Sequence, residues 1–298
     1  MNPVSVRAPL VDGAWLARHH ADADVRVGDV RWLLGQPHEG RTRYDAGHVP
    51  GAVFFDIEQD LANPLVPGPG RHPLPARDAL AAHFGALGLG DDLQIVAYDD
   101  AGGAMAARLW WLARWLGHER VFVLDGGLAA YVAAGGPLSV DPPSPSPRRF
   151  TVRPPLLRVV DKARTLAAAQ HAEPLLLDAR AAERYEGRVE PIDPRKGHIP
   201  SARSAPFIGN LDDAGRFLSP SALRERYASL GASDTREVIA YCGSGVTACH
   251  TVLAMCVAGL PAPALYEGSW SDWSRDTALP AALGPEPGRC PSQRGDVG

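Results

Sequence analysis

One loop in this sequence combines a nucleophilic side chain with a backbone suited to holding an anion. Cys242 directly follows the apolar run 237–241 and is followed closely by two glycines. Glycines let the backbone turn tightly and direct its N–H groups inward, and a helix that begins just beyond them points its positive end at the same place. We therefore expect Cys242 to be a thiolate, held in a cradle formed by Gly243, Gly245, Val246 and Thr247.

The chemistry predicted for this loop is nucleophilic group transfer. A thiolate attacks a donor and carries the transferred group as a covalent intermediate, and a persulfide on the same sulfur is also an anion that the loop would hold. The reaction needs neither a metal nor an organic cofactor, and the absence of a CxxC pair argues against a zinc site. Cys249 and Cys256 are expected to pack on one helix face, and Cys290 has no predicted role.

The chain contains the same landmarks twice, in the same order. An Asp-x-Arg segment ends at Arg31 and again at Arg180, and a Gly-His-Val/Ile-Pro turn contains His48 and His198. With two further pairs, each landmark recurs after 142 to 150 residues, which indicates a duplicated domain. Asp99 stands where the first copy would need its cysteine, so the first domain is predicted to be catalytically silent. Because the landmark arginines and histidines occur in both copies, we interpret them as structural.

An alternation of strands and helices predicts an α/β fold. Parallel sheets covered by helices on both faces produce this pattern, and their ligands lie beyond the carboxyl ends of the strands. Strands are predicted at 94–98, 121–124, 175–178 and 237–241, and helices that end at a glycine at 105–117 and 247–259.

Four segments follow from the repeat and from a run rich in proline and serine at 137–155. Such a run holds neither a helix nor a central strand and stays extended. The predicted segments are domain 1 (1–140), a Pro-rich linker (141–155), the catalytic domain 2 (156–283) and a flexible tail (284–298).

Composition excludes several classes of function. The net charge of −4 and the pI of about 6.2 give no electrostatic reason to expect a nucleic-acid partner. The sequence contains no stretch of 18 apolar residues, so no membrane span is expected. The first 20 residues lack the apolar core of a signal peptide. A cytoplasmic protein with no membrane partner is therefore expected.

At this point a family resemblance becomes apparent. The loop CGSGVTA (242–248) closely resembles the active-site loop of the 3-mercaptopyruvate sulfurtransferases, which belong with the thiosulfate sulfurtransferases to the two-domain rhodanese family. GHVPGAVFFDIE, RHPLP, GHIPSA and YEGSWSDW extend the resemblance over nearly the whole chain. It implies two tandem rhodanese-like domains, with a catalytic C-terminal domain, a silent N-terminal domain and a site at their interface.

The resemblance also implies which side chains assist the cysteine. Arg184 and Arg195 correspond to the arginines that bind the carboxylate of the donor, for which a guanidinium fork is suited. Ser244 is placed to donate to the donor's carbonyl oxygen or to relay a proton. His72 corresponds to a histidine of that relay, and Glu58 stands where the family has an aspartate.

The predicted reaction begins with attack of the Cys242 thiolate on the sulfur of 3-mercaptopyruvate, a small anionic donor. Pyruvate leaves, and the persulfide passes its outer sulfur to cyanide, a small thiol or a protein thiol such as that of a thioredoxin-like protein. Ping-pong kinetics are expected.

Three alternatives remain open. Thiosulfate is the nearest rival donor, although the residues after the cysteine, Gly243 and Ser244, are neutral, whereas thiosulfate-type loops carry basic residues there. A cysteine phosphatase or arsenate reductase would need an arginine six residues after the cysteine, where Ala248 stands. The third alternative is a rhodanese-like module that only binds a partner.

Overall fold

Two sheets of five parallel strands, one in each half of the chain, form the framework of the protein. The computed structural model describes residues 9–63, 68 and 70–290. The first sheet has the strand order β1-β5-β4-β2-β3. Its elements are β1 (Leu10–Val11), α1 (Gly13–His19), β2 (Val25–Asp29), α2 (Glu39–Ala46), β3 (Val53–Phe54), α3 (Arg77–Ala86), β4 (Gln94–Tyr98), α4 (Ala106–Trp115), β5 (Val121–Leu124) and α5 (Gly127–Ala133).

The second sheet repeats this order strand for strand, as β6-β10-β9-β7-β8. Its elements are β6 (Val159–Val160), α6 (Lys162–His171), β7 (Leu175–Asp178), α7 (Ala182–Tyr185), β8 (Arg203–Ser204), a 3-10 helix (Phe207–Asn210), α8 (Pro220–Ser229), β9 (Val238–Tyr241), α9 (Ala248–Val257), β10 (Ala264–Tyr266) and α10 (Ser269–Trp273). The structure thus confirms the predicted α/β class and the duplication.

The elements that position the site lie close to their predicted bounds. Strand β4 covers all of the run 94–98, and β9 begins one residue later than predicted, at Val238. Helices α4 and α9 end shortly before Gly117 and Gly259, whose φ angles of 90° and 70° are in the left-handed region. Glycine is favoured there because it has no Cβ, so each helix stops where the sequence indicated.

The two halves share one apolar core. Helix α4 of the first half packs against α9 of the second, and a single buried cluster contains Leu109 and Trp110 together with Val252 and Leu253. Burial of such side chains stabilises the interface by about 1.5–3 kcal/mol for each large residue. The interface between the halves is therefore a continuous part of the hydrophobic core.

The repeated landmarks make the same contacts in both halves. Arg31 pairs with Asp29 and Arg180 with Asp178, each at 2.6 Å. His48 and His198 are fully buried and stack on tyrosines of the preceding helices. These matching contacts support the structural interpretation of the landmarks.

The predicted linker contains no helix or strand and lies along domain 1. Arg148 N–H donates to the Gly85 carbonyl at 2.9 Å, and the ring of Phe150 packs on Phe84. In the predicted tail, the Pro287 carbonyl accepts from Ser201 N–H at 2.7 Å, so the first residues of the tail are held against domain 2. Residues 1–8, where no signal peptide is predicted, and tail residues 291–298 lie outside the described residues.

No helix in the described part of the chain has the length and apolar character needed to cross a membrane.

Candidate active site at the domain interface

A cavity of about 250 Å³ opens at the carboxyl end of β9, between the two domains. Domain 1 contributes Trp32, Arg71, His72 and Met105 to its wall, and domain 2 contributes Cys242 with its loop and the residues after β7. The cavity therefore lies beyond the strand ends, where ligands are expected in a parallel sheet.

Cys242 lies at the bottom of this cavity and is 2% exposed. Its Sγ accepts a hydrogen bond from Gly245 N–H at 3.1 Å. Gly245 has a φ of 81°, and a Cβ there would lie 2.6 Å from the Glu267 carbonyl oxygen. Glycine is thus required at this position for both conformation and space. Gly245 N–H is the one amide that the structure gives as a donor to Sγ, where several were expected.

The corresponding loop of domain 1 holds a fixed anion of its own. The carboxylate of Asp99 accepts four backbone N–H groups, from Ala101, Gly103, Met105 and Ala106, at 2.8 to 2.9 Å. Burial raises the pKa of the Asp99 carboxyl, and the four N–H donors oppose that effect. The strand-to-helix turn of this fold is therefore an anion cradle, which in domain 1 is filled by its own side chain.

Ser244 and His72 meet across the domain interface. His72 Nδ1 lies 2.7 Å from Ser244 Oγ, and the edge of the Trp32 ring packs against the imidazole, with the ring centroids 5.9 Å apart. Glu58 lies on the far side, where its Oε1 is 3.9 Å from His72 Nε2. The structure thus arranges Glu58, His72 and Ser244 in a line that ends at the cavity.

The imidazole of His72 is neutral near pH 7. Burial, with smaller contributions from the charges of Arg108 and Arg71, lowers the pKa of His72 to about 3. A neutral imidazole has one nitrogen that donates and one that accepts, so it can exchange a proton with the Ser244 hydroxyl.

Two guanidinium groups from different domains lie beside the cysteine loop. A Cβ placed on Gly243 would lie 3.1 Å from Arg71 Nη2 and 3.4 Å from Arg184 Nη1. Both arginines donate to the carboxylate of Asp193, and Arg184 also donates to Glu190 at 2.6 Å. The cationic side of the cavity is thus shared between the two domains.

The structure does not bring Arg195 to the cavity. Its guanidinium donates to main-chain carbonyl oxygens near the end of domain 2, the nearest being that of Leu279 at 2.8 Å, and it lies over the Trp270 ring. Arg71, and not Arg195, lines the cavity together with Arg184. In the sequence, the signal that pointed to Arg71 was its position directly before His72 in the RHPLP segment.

The remaining cysteines are packed in the structure. Cys249 is fully buried and donates to the Gly245 carbonyl at 3.3 Å. Burial raises the pKa of Cys249 to about 12 and that of Cys256 to about 11. Cys290 is half-buried against the core of domain 2. Within residues 9–63, 68 and 70–290, no group of three His, Cys, Asp or Glu residues is placed to hold a metal ion.

Comparison with known proteins matches the rhodanese-like domain family to residues 12–134 and again to 162–276. A Pseudomonas aeruginosa protein named probable 3-mercaptopyruvate sulfurtransferase is 46% identical over 280 residues, covering 93% of this chain and 99% of its own. Thiosulfate sulfurtransferase of Bos taurus is 36% identical over 277 residues, covering 89% of this chain and 91% of its own.

Solved structures show the same architecture. The crystal structure of SseA from Escherichia coli, described among 3-mercaptopyruvate sulfotransferases, superposes with a TM-score of 0.77 at 32% identity and covers 88% of this chain and 98% of its own. The 3-mercaptopyruvate sulfurtransferase of Leishmania major gives a TM-score of 0.78 at 31% identity, with 92% and 76% coverage.

Proposed function

The chain belongs to the rhodanese-like family, and from that premise we propose that it is a sulfurtransferase that moves sulfur from 3-mercaptopyruvate to a thiophilic acceptor. The observation that carries the proposal is the position of Cys242. Its sulfur lies at the bottom of the cavity and accepts the Gly245 N–H, with the Ser244–His72 pair and two guanidinium groups beside it.

The first half-reaction forms a persulfide. The Cys242 thiolate attacks the donor sulfur, a sulfur–sulfur bond forms, and the carbon–sulfur bond of the donor breaks. Its electron pair passes into the enolate of pyruvate, which takes a proton at carbon. The net result is that the thiol proton of the donor is transferred to that carbon. Ser244 and His72 relay this proton. Glu58 faces the other imidazole nitrogen at 3.9 Å, beyond hydrogen-bond distance, so it joins the relay only when its partly exposed side chain moves closer.

The second half-reaction restores the thiolate. An acceptor attacks the outer sulfur and bonds to it. The sulfur–sulfur bond of the persulfide breaks, and the electron pair of that bond returns to the sulfur of Cys242. Cyanide becomes thiocyanate in this step, and a small thiol or the thiol of a thioredoxin-like protein becomes a hydropersulfide. The donor product leaves before the acceptor reacts, so ping-pong kinetics follow. No cofactor enters this scheme.

The arginine pair gives the donor its orientation. We assign the donor carboxylate to Arg184 and Arg71, because both guanidinium groups lie beside Gly243 and form forks that suit a carboxylate. Asp193 bridges the same two arginines through Arg71 Nη1 and Arg184 Nη2. Arg71 Nη2 and Arg184 Nη1 face Gly243, so the donor carboxylate can bind these two nitrogens while Asp193 holds the guanidinium groups in place.

Thiosulfate is the second candidate donor, and the same arginine pair favours it. The residues after Cys242 are neutral, but Arg71 and Arg184 bring positive charge against Gly243 from both domains. A dianion would be attracted there, and the bovine relative carries the name thiosulfate sulfurtransferase. With this donor, the sulfur–sulfur bond of thiosulfate breaks and sulfite leaves.

We propose that the protein works in the cytoplasm. All four cysteines are free, and free thiols are typical of reducing compartments.

The test is intact-mass measurement after mixing with each donor in turn. We expect the mass of one sulfur atom to be added by 3-mercaptopyruvate, to disappear on addition of cyanide, and to be absent in Cys242→Ala. Cys256→Ala is the matched control and should still gain the sulfur. A mass gain that persists in Cys242→Ala would overturn the proposal. Faster labelling by thiosulfate than by 3-mercaptopyruvate would make thiosulfate the preferred donor.

A further inference from the structure

Helix α4 of the silent domain carries a buried arginine that reaches the catalytic loop. Arg108 is 0% exposed. Its guanidinium donates to three main-chain carbonyl oxygens, those of Leu61 at 3.1 Å, His72 at 3.1 Å and Gly245 at 3.3 Å. The group thus bridges two segments of domain 1 and one of domain 2.

These three carbonyls belong to the segments that hold the proposed relay. Leu61 lies three residues after Glu58, Gly245 lies one residue after Ser244, and His72 is itself a member. One rigid, planar fork therefore sets the mutual positions of three chain segments whose side chains must meet. Gly245 is also the residue whose N–H contacts Cys242 Sγ.

The charge of Arg108 is not neutralised by a direct ion pair. In the described part of the chain, its hydrogen-bond partners are these carbonyl oxygens and the Cys249 side chain, and no carboxylate forms a salt bridge with it. Burial of a cation without an ion pair is costly, which argues that the charge has a use. Gly245 links this guanidinium to Cys242, because its carbonyl accepts from Arg108 and its N–H donates to Sγ.

A reciprocal contact provides an internal comparison. In helix α9, His250 Nε2 lies 3.1 Å from the Gly102 carbonyl oxygen, in the loop of the silent domain. Gly102 and Gly245 are equivalent positions, because each lies three residues after Asp99 or Cys242. Each domain thus braces the loop of the other, the silent loop through an imidazole and the catalytic loop through a guanidinium.

We propose that Arg108 is a positioning residue for the sulfur transfer: it fixes the Cys242 loop against His72 and favours the anionic sulfur through its charge. This inference rests on the function proposed above. It explains why a domain without a nucleophile retains a buried guanidinium that points into the loop of its neighbour.

Other charged and titratable groups surround the same loop. Arg71 and Arg184 lie at Gly243 on the cavity side, and Cys249 lies behind the loop. Glu267 accepts Leu74 N–H at 3.0 Å, and Arg108 partly opposes the rise that burial causes in the pKa of the Glu267 carboxyl. A test of Arg108 must leave these groups in place, so it compares variants at position 108 alone.

The test measures Cys242 alkylation by iodoacetamide over roughly pH 6 to 10, together with kcat, KM and Tm. Arg108→Gln should shift the alkylation profile to higher pH and lower kcat for 3-mercaptopyruvate by about tenfold to a hundredfold. The matched control His250→Gln removes the reciprocal contact and should lower Tm while leaving the alkylation profile unchanged. Alkylation requires no donor, so failure of the proposed function is distinguishable from failure of this inference.

Arg108→Lys keeps the positive charge but cannot donate to all three carbonyl oxygens. This variant provides the test if Arg108→Gln does not fold. We expect an alkylation profile close to that of the unmodified protein and a lowered kcat, since the charge remains and the positioning is lost. Wild-type kcat and profile in Arg108→Lys would overturn the inference. The inference would also be overturned if Arg108→Gln lowered Tm as His250→Gln does and left kcat and the alkylation profile unchanged.

Discussion

His72 Nδ1 of domain 1 lies 2.7 Å from Ser244 Oγ of domain 2, next to the catalytic cysteine. The contact spans 172 residues of sequence. The proposed proton relay therefore draws on both domains, because His72 belongs to the first half of the chain and Ser244 to the half that contains Cys242.

Ser244→Ala should distinguish the two donors. The enolate that leaves 3-mercaptopyruvate must take up a proton to become pyruvate, whereas sulfite leaves thiosulfate without a proton. We expect kcat/KM for 3-mercaptopyruvate to fall by about a hundredfold, within the range of general acid–base catalysis, and kcat/KM for thiosulfate to change little. Ser229→Ala, at an exposed position of α8, is the control for steady-state kinetics with both donors. Equal losses with both donors would contradict a role in proton transfer.

Arg71→Gln and Arg184→Gln should each raise KM for 3-mercaptopyruvate by about tenfold or more, because each removes a charge-assisted contact to the donor carboxylate. Arg195→Gln should leave KM unchanged and lower Tm, since its guanidinium donates to main-chain carbonyls outside the cavity. The comparison needs only initial rates over a range of donor concentrations. A raised KM in Arg195→Gln alone would restore the role first expected for that residue.

The contrast between Arg71 and Arg195 shows where prediction from the sequence ends. The repeat located both loops, identified Cys242 and placed Asp99 opposite it, because these positions depend on local spacing along strands that recur. Which arginine reaches the cavity depends on how the two domains pack, and the local signal for Arg71 was only that it directly precedes His72. Arg108 was hidden for a related reason, since an arginine within an amphipathic helix is normally exposed.

Asp99→Ala should destabilise the protein by about 3 kcal/mol or more, because removal of a buried carboxylate leaves four N–H donors without a partner. Asp100→Ala is the matched control. Its carboxylate pairs with Arg43 near the surface, and such pairs contribute less than about 1 kcal/mol. Denaturant unfolding followed by fluorescence gives both values, and similar losses for the two variants would argue against an anion cradle in domain 1.

Stability should depend on pH through His250. Burial lowers the pKa of His250 to about 4, from an ordinary value of 6.5. Between these values the unfolded chain binds a proton that the folded chain does not. This contribution to stability is therefore complete above about pH 6.5 and is lost as the pH falls toward 4.

Replacement of His250 should flatten the acid side of the stability profile. His250→Gln should reduce the slope of the unfolding free energy against pH by as much as about 1.4 kcal/mol per pH unit within that window. His171→Gln is the control, because His171 lies exposed at the end of α6. Free energies of unfolding measured in denaturant near pH 7, 6 and 5 provide the comparison, and parallel profiles for the two variants would contradict the assignment.

The shared wall of the cavity also bears on how the chain evolves. A duplicated copy without a nucleophile is ordinarily free to drift, yet here it places His72, Arg71 and Arg108 against the cysteine loop of the other half. Substitutions in the first half are therefore expected to be selected through their effect on sulfur transfer at Cys242 in the second half. We therefore expect the two halves to be retained together, because the wall of the cavity comes from both.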